Sequence, residues 1–166
     1  MEDFEKFYNS SLRFLSFRPR SEKEVRDRLK IKYQKSNIKN LTLVIDKVIQ
    51  KLKEQGFIND EEFTKWWIEQ RTKVRPKAIR VITLELKQKG ISNEIIESLL
   101  SKDVPLEEQV SNDLELANKL IEKRIERLRN SSKQEIYQKL GSYLSRRGFD
   151  WETIKQSIDE LFSKGV

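Results

Sequence analysis

The sequence predicts an all-α protein built from three tandem three-helix repeats, which together form an elongated, curved array. Of its 166 residues, 37% are charged and 36% hydrophobic, with only five Gly and three Pro, a composition typical of long charged helices. Apolar residues recur at three- and four-residue spacing, as on one face of a helix. Short motifs also recur at a period of about 57 to 58 residues, which indicates repeats.

The first repeat is predicted over residues 1–56. Ser21 and Glu24 form a capping-box pattern at the start of a helix. A second apolar stripe runs from Leu41 to Leu52 through Val44, Ile45, Val48 and Ile49, and Gly56 is placed to end that helix.

The second repeat is predicted over residues 57–103. Asn59 and Asp60 are good N-cap types for its first helix, in which Trp66 and Trp67 straddle Phe63. At least one of the two tryptophans is therefore expected in the core. Pro76 suits the first turn of the next helix, which Gly90 ends.

That second helix has apolar residues on two faces. Ile79, Ile82 and Leu86 form its core stripe, whereas Val81 and Leu84 lie opposite. Packing against a neighbouring repeat or exposure toward a protein partner both explain the second face, and a short helix over 92–100 completes the trio.

The third repeat is predicted over residues 104–166, and the segment 101–108, which contains Pro105, is the best linker candidate. Ser132 and Glu135 repeat the capping box, and Trp151 is placed on a core stripe with Ile154, Ile158 and Phe162. The repeats are aligned by the matches that follow: Arg18-Pro19-Arg20 with Arg75-Pro76-Lys77, and Leu86 to Ile91 with Leu144 to Phe149.

The amino-acid composition excludes most of the usual catalytic mechanisms. The chain has no Cys and no His, so disulfides, thiolate nucleophiles, Ser-His-Asp triads and zinc sites of the usual ligands are excluded. The acidic runs Asp60-Glu61-Glu62 and Glu107-Glu108 stand at predicted helix starts, where negative charge favours the dipole. We expect no catalytic, cofactor-binding or metal-binding residues and no enzymatic activity.

Charge indicates the kind of partner. The 34 Lys and Arg exceed the 27 Asp and Glu by a net +7, which favours a polyanion or an acidic protein surface. Basic residues cluster at the predicted start of the second helix in the first and second repeats, and in the middle repeat Lys77, Arg80 and Lys87 project away from the core stripe. The candidate partner- or DNA-binding face contains Arg18, Arg20, Lys23, Arg71, Lys73, Arg75, Lys77, Arg80, Lys87, Arg146 and Arg147. A solvated surface without a partner is the competing interpretation.

No apolar run is long enough to cross a bilayer, and the acidic start of the chain is unlike a signal peptide. We therefore expect a cytoplasmic protein with no membrane contact, and a monomer.

Three segments resemble the RecX family. The family's glycine, apolar pair and acidic helix start are matched by Leu52 to Phe63. Its basic turn and Lys-Gly ending are similar to Arg75 to Ile91, and its opening unit is similar to Arg18 to Leu29. Pro19 and the lysine-rich stretch 30–35 depart from the pattern, which puts the spacing between units in doubt.

The resemblance implies three three-helix repeats and a non-catalytic regulator of the RecA–DNA filament. Such a regulator mainly inhibits RecA's ATP hydrolysis, strand exchange and coprotease action in recombinational repair and the SOS response. The recurring basic residues themselves favour contact with single- or double-stranded DNA of weak sequence preference. Two alternatives stay open: a helix-turn-helix-like protein that acts directly on nucleic acid, and a passive helical scaffold.

Overall fold

The computed structural model describes residues 2–36, 38–100, 106–128 and 130–164, with side chains described for these apart from 106–112. Within these residues all regular secondary structure is helical, which confirms the all-α prediction. The α-helices are α1 (Glu2–Leu15), α2 (Glu22–Tyr33), α3 (Leu41–Glu54), α4 (Asp60–Glu69), α5 (Ile79–Gln88), α6 (Asn93–Leu100), α7 (Leu106–Ile125), α8 (Lys133–Ser145) and α9 (Trp151–Ser163).

The chain divides into two compact units whose limits differ from the predicted repeats. Unit 1 comprises Met1–Trp67 with Glu85–Leu99, and unit 2 comprises Ile68–Leu84 with Leu100–Val166. The middle repeat therefore contributes one part to each unit. The predicted boundary at 103/104 and most of the predicted linker lie outside the described residues, and the repeat limits stay a prediction.

Unit 1 has its core among α1, α2 and α3. Ser21 and Glu24 form the predicted capping box at the start of α2, which satisfies amides that the helix leaves unpaired. The Phe7 and Tyr33 rings stack with centroids 3.9 Å apart. The buried apolar side chains of this core are Phe7, Val25, Leu29, Tyr33, Ile45, Val48, Ile49, Leu52 and Ile58.

Unit 2 has its core among α7, α8 and α9. The Ser132–Glu135 capping box begins α8 as predicted. Between α7 and α9, the Ser157 hydroxyl donates to the Asn118 side chain at 2.6 Å, and the Asn118 amide donates to Glu160 at 2.8 Å. Buried polar groups are thereby paired, beside an apolar core that includes Ile121, Leu140, Leu144, Ile154 and Ile158.

Three helices end in the same glycine corner. Gly56, Gly90 and Gly148 have φ angles of 74°, 81° and 88°, a region that side chains other than glycine rarely adopt. After each glycine, the next amide donates to the carbonyl five residues earlier, over N···O distances of 2.9, 3.1 and 3.4 Å. This pattern is the Schellman motif, so the three corners are structurally equivalent helix ends.

Two details of the prediction are wrong. Helix α5 begins at Ile79 rather than at Pro76, because the Ile79 amide, which would close the first turn on the Arg75 carbonyl, donates to the Asp113 carboxylate instead. Trp151 is 67% exposed rather than buried; as the first residue of α9, it lies beside Tyr137 at the surface, with ring centroids 6.4 Å apart.

Burial also bears on the predictions for the two tryptophans of α4 and for the second apolar face of α5. Trp67 is buried at 8% exposure, while Trp66 is half-buried, which confirms that at least one lies in the core. On the second face of α5, Val81 is half-buried and Leu84 is exposed. Among the described residues, no helix is both long and apolar enough to cross a membrane.

Candidate functional site

In unit 1 the start of α2 packs on the Gly90 corner. The Ser21 hydroxyl donates to the Lys89 carbonyl at 2.7 Å, and the Lys23 ammonium donates to the Gln88 carbonyl at 3.1 Å. A Cβ on Gly90 would lie 2.7 Å from the Lys23 Cβ, closer than real contacts allow. Glycine is therefore required here both by backbone conformation and by packing.

In unit 2 the start of α5 packs on the Gly148 corner in the same way. The Ala78 amide donates to the Arg147 carbonyl at 3.1 Å, and the Arg80 guanidinium donates to the Gly148 carbonyl. A Cβ on Gly148 would lie 2.1 Å from a Val81 methyl. We call each of these two packings a helix-start joint.

A carboxylate completes each joint. The Asp60 carboxylate accepts from the Glu22 amide at 2.8 Å, and the Asp113 carboxylate accepts from the Ile79 amide at 3.2 Å. Burial raises the pKa of both aspartates against the effect of these amide bonds. Because the sequence motif recurs, the chain builds one joint twice, and the joints explain why the compact units cross the repeat limits.

Unit 1 uses its candidate cations internally. Arg18 pairs with Glu24 at 2.7 Å and lies over the rings of Trp66 and Trp67 at 5.7 and 5.9 Å. Arg20 lies over Phe14 at 4.0 Å. Burial, followed by the charge of Arg18, lowers the pKa of Arg20. These two arginines stabilise the fold, and their binding role stays a prediction.

The remaining candidates of unit 1 lie at its surface. Lys23 is exposed, and besides its bond to the corner it pairs with Asp27 at 3.4 Å. Lys87 is exposed near the end of α5. Neither is brought next to Arg18 by a described contact.

Unit 2 brings its candidate cations together at one corner. The hydrogen bonds of Ala78 and Arg80 to the Gly148 corner place the turn after Arg75 beside the end of α8. We call Arg75, Lys77, Arg80, Arg146 and Arg147 the basic corner. Arg75 and Arg146 are exposed and make no side-chain hydrogen bond or ion pair within the described residues.

The two other candidates of unit 2 lie in a π-helical turn, Gln70–Val74, that follows α4. Lys73 is exposed and pairs with Glu69 at 2.7 Å. Arg71 is half-buried. This turn leads directly into Arg75, so the whole segment is continuous with the basic corner.

An aromatic residue that the prediction missed holds part of the basic corner. The guanidinium groups of Arg147 and Arg124 lie over the Tyr143 ring, 4.3 and 4.4 Å from its centroid. Such contacts fix a long side chain while leaving its charge available. The four-residue spacing of Tyr143 and Arg147 on a helix was a usable sequence signal, but Arg124 is brought near only by the fold.

The basic corner has the chemistry of an anion-binding surface. Guanidinium groups present planar, permanently charged donors that match phosphate or carboxylate oxygens. The described residues contain no group of three or more acidic side chains suited to hold a metal ion. The basic corner can therefore attract an anionic surface, and its fixed backbone lowers the entropy cost of contact.

Comparison with known proteins identifies the family. Three family models match in order: the first three-helix domain of RecX over residues 8–38, the second over 59–100 and the third over 111–158. The chain is similar over 96% of its length to a crystal structure of RecX from Lactobacillus salivarius, covering 97% of that chain with a TM-score of 0.69 and 29% identity.

Curated relatives carry the description "Regulatory protein RecX". The chain is 34% identical over 159 residues to the Bacillus velezensis protein and 32% identical over 160 residues to that of Bacillus subtilis. In both cases the match covers 96% of this chain and 56% of the relative. The chain thus spans a little over half the length of these relatives.

Proposed function

Because this chain belongs to the RecX family, we propose that it is a non-catalytic regulator that binds the RecA–DNA filament and lowers RecA's ATP hydrolysis, strand exchange and coprotease action. It acts in the cytoplasm, in recombinational repair and the SOS response. The descriptions of the relatives support a regulatory role; the target and the direction of the effect are parts of this proposal.

The basic corner is the observation that carries the proposal. It groups five cations, of which Arg75, Arg80 and Arg146 are exposed, on a backbone that is fixed by the joint of unit 2. Arg75 and Arg146 have no side-chain partner within the described residues. Such a surface fits the phosphates of DNA, an acidic protein surface of the filament, or a groove that offers both. Phosphate contacts bind with little sequence preference and weaken as salt rises.

The test is the rate of single-strand-dependent ATP hydrolysis by RecA of the same organism as this protein is titrated in. A bare-DNA binding curve is measured at the same salt. We expect hydrolysis to fall at protein concentrations too low to cover the DNA. Binding to DNA without any fall in hydrolysis would contradict the proposal and favour direct action on nucleic acid.

A matched pair of double variants tests the surface. Arg75→Glu with Arg146→Glu reverses two exposed charges of the basic corner, whereas Lys30→Glu with Lys47→Glu makes the same change in net charge on exposed positions of α2 and α3. We expect roughly tenfold or greater loss of inhibition for the first pair, a cost in line with lost charged contacts, and little loss for the second. Equal loss for both pairs would mean that only net charge matters.

Sequence-specific DNA binding has less support. A recognition helix presents groove-reading side chains, and α6 exposes Glu94 and Glu97 near its start, where acidic groups repel phosphates. Competition with unrelated DNA distinguishes the two functions, because a sequence reader retains its preferred site.

A further inference from the structure

The end of α7 places one more cation beside the basic corner. Arg124 is exposed in the last turn of α7 and makes no side-chain hydrogen bond or ion pair within the described residues. The helix dipole alone favours a cation in the last turn of a helix, so this position is not evidence of a site. The evidence is a contact with α8, because the Arg124 guanidinium lies 4.4 Å from the centre of the Tyr143 ring.

Tyr143 joins this cation to the basic corner. The same ring carries Arg147, whose guanidinium lies 4.3 Å from the ring centre, and the ring itself is half-buried against the core of unit 2. Two like charges that share one ring repel each other, and each gains a modest attraction from the π-electrons. An anion bound beside both guanidinium groups would relieve that repulsion.

The Arg147 guanidinium also lacks a hydrogen-bond partner where one is needed. Its Nε is buried and donates no hydrogen bond within the described residues, although a buried donor left unpaired costs free energy. Arg20 in unit 1 has an unpaired Nε too, but the Glu24 carboxylate lies 3.8 Å from its guanidinium. No described carboxylate lies as close to Arg147, so its charge is available to an anion from outside the chain.

We propose that Tyr143 is a positioning residue that holds Arg124 and Arg147 for the phosphates of a nucleic-acid strand, so that the end of α7 belongs to the binding surface. The inference rests on the proposed function, because it takes the basic corner to be a binding surface. Guanidinium groups match phosphate and carboxylate oxygens alike, and the surrounding surface decides between them.

That surface favours a nucleic acid over a protein. The centre of a protein–protein interface is usually apolar and depleted of charge. Among the described residues of α7 and α8, no large hydrophobic side chain is exposed, whereas Lys123, Arg124 and Arg146 are. Interfaces with nucleic acids are more polar and much more positively charged than those between proteins.

Fluorescence anisotropy of a labelled single-stranded oligonucleotide, without RecA, tests the role of Arg124. We expect Arg124→Gln to weaken binding about tenfold at low salt. The slope of log Kd against log salt should fall by about 0.7, the value for one phosphate contact on a single strand. Arg13→Gln is the matched control, because Arg13 is likewise exposed and unpaired in the last turn of a helix, α1, without a ring contact. It should change binding by less than about twofold.

Variants of Tyr143 test the positioning role. Tyr143→Phe keeps the ring and should bind within about twofold of the wild type, whereas Tyr143→Leu keeps apolar packing without the ring and should bind about fivefold more weakly. Urea unfolding verifies that both variants are folded under the binding conditions. Tyr143→Leu combined with Arg124→Gln should lose less than the product of the two single losses, which a merely structural role of Tyr143 would not produce.

Three outcomes would overturn the proposal. They are equal losses for Arg124→Gln and Arg13→Gln, a Tyr143→Phe variant as weak as Tyr143→Leu, and unchanged DNA binding by Arg124→Gln together with weaker inhibition of RecA. The last outcome would assign the site to an acidic protein surface. The proposed function fails separately, because it is contradicted only if the wild-type chain does not inhibit RecA, whatever these variants do to DNA binding.

Discussion

Units 1 and 2 build the same joint but use its charges differently. In unit 1 the joint segment contains Glu24, whose carboxylate accepts from Arg18 at 2.7 Å and from Lys89 at 2.9 Å. At the repeat offset of 57, unit 2 has Val81 in place of Glu24, and that valine packs against Gly148. The joint of unit 1 therefore contains a stabilising cluster of ion pairs around Glu24. The joint of unit 2 has the apolar Val81 at this position, so it has no carboxylate there to pair with the cations of the basic corner.

The same contrast extends to the corner residues. Lys89 in unit 1 pairs with Glu24 and lies over Trp67, 4.4 Å from the ring centroid. Its counterpart in unit 2, Arg147, lies over Tyr143 without an ion pair to a described acidic group. The two joints therefore share one backbone design but use their cations differently. In unit 1 the cations stabilise the fold, and in unit 2 they present positive charge.

The largest expected effect concerns the glycines of the corners. Gly148→Ala should lower the free energy of unfolding by about 2–4 kcal/mol, since it adds a left-handed strain of about 1 kcal/mol to a clash with Val81 of about 1–3 kcal/mol. Gly90→Ala should also destabilise the protein, because one of the two nearest atoms is the Lys23 Cβ, which moves only with the backbone of α2. Urea unfolding followed by circular dichroism measures both.

Gly56→Ala is the matched control for this series. Gly56 has the same left-handed φ, but a Cβ there would meet nothing within 4 Å. Only the conformational cost of about 1 kcal/mol should appear. If all three alanine variants lost equal stability, the packing of the joints would contribute nothing beyond backbone strain. Val81→Ala combined with Gly148→Ala should recover part of the loss.

A smaller effect is expected from the charge cluster of unit 1. Glu24→Gln should cost about 1–3 kcal/mol at neutral pH, because it leaves Arg18 and Lys89 close together without their anion. Hydrogen exchange should locate the loss in α2 and α5. Unit 2 has no corresponding carboxylate whose removal could lower its stability, because Val81 holds this position.

The acid dependence of the same variant checks its cause. Burial alone would raise the pKa of Glu24, but the hydrogen bonds from Arg18 and Lys89 outweigh it, and the pKa is lowered. A lowered carboxyl pKa gives stability above the unfolded-state pKa, which is lost as pH falls through the folded-state value. The difference between the wild type and Glu24→Gln should therefore shrink below about pH 4; a constant difference would point to packing instead.

The smallest effects on stability come from the paired arginines of the repeated motif. Arg18→Ala should cost about 1–2 kcal/mol through its ion pair and aromatic contacts, whereas Arg75→Ala should change stability by less than about 0.5 kcal/mol. Inhibition of RecA should show the opposite order, with Arg75→Ala the weaker inhibitor. Thermal melting and the ATP hydrolysis assay together test this division, and loss of inhibition by Arg18→Ala at full folding would contradict it.

Local structure was predictable because its causes lie within a few residues. The capping boxes at Ser21 and Ser132 and the left-handed glycine at 56 follow from hydrogen bonds that close within one helical turn. The stripe of α3 is likewise local, and its residues lie in or against the core of unit 1 as predicted. The prediction for Trp151 was wrong because this residue is the first of α9, beyond the part of the helix that packs in the core.

What the sequence by itself determined is therefore the all-α class, the capping boxes and glycine corners of several helices, the period that repeats them and the RecX resemblance. The tertiary structure alone decided which cations stay exposed, since that depends on bonds such as Ser21 to Lys89 and Arg80 to Gly148, each joining residues 68 positions apart. A capping box or a glycine corner is specified by its neighbours in the chain. Whether a cation is paired or exposed depends on the side chain that folding brings beside it. That side chain is Glu24 in the joint of unit 1 and Val81 in the joint of unit 2.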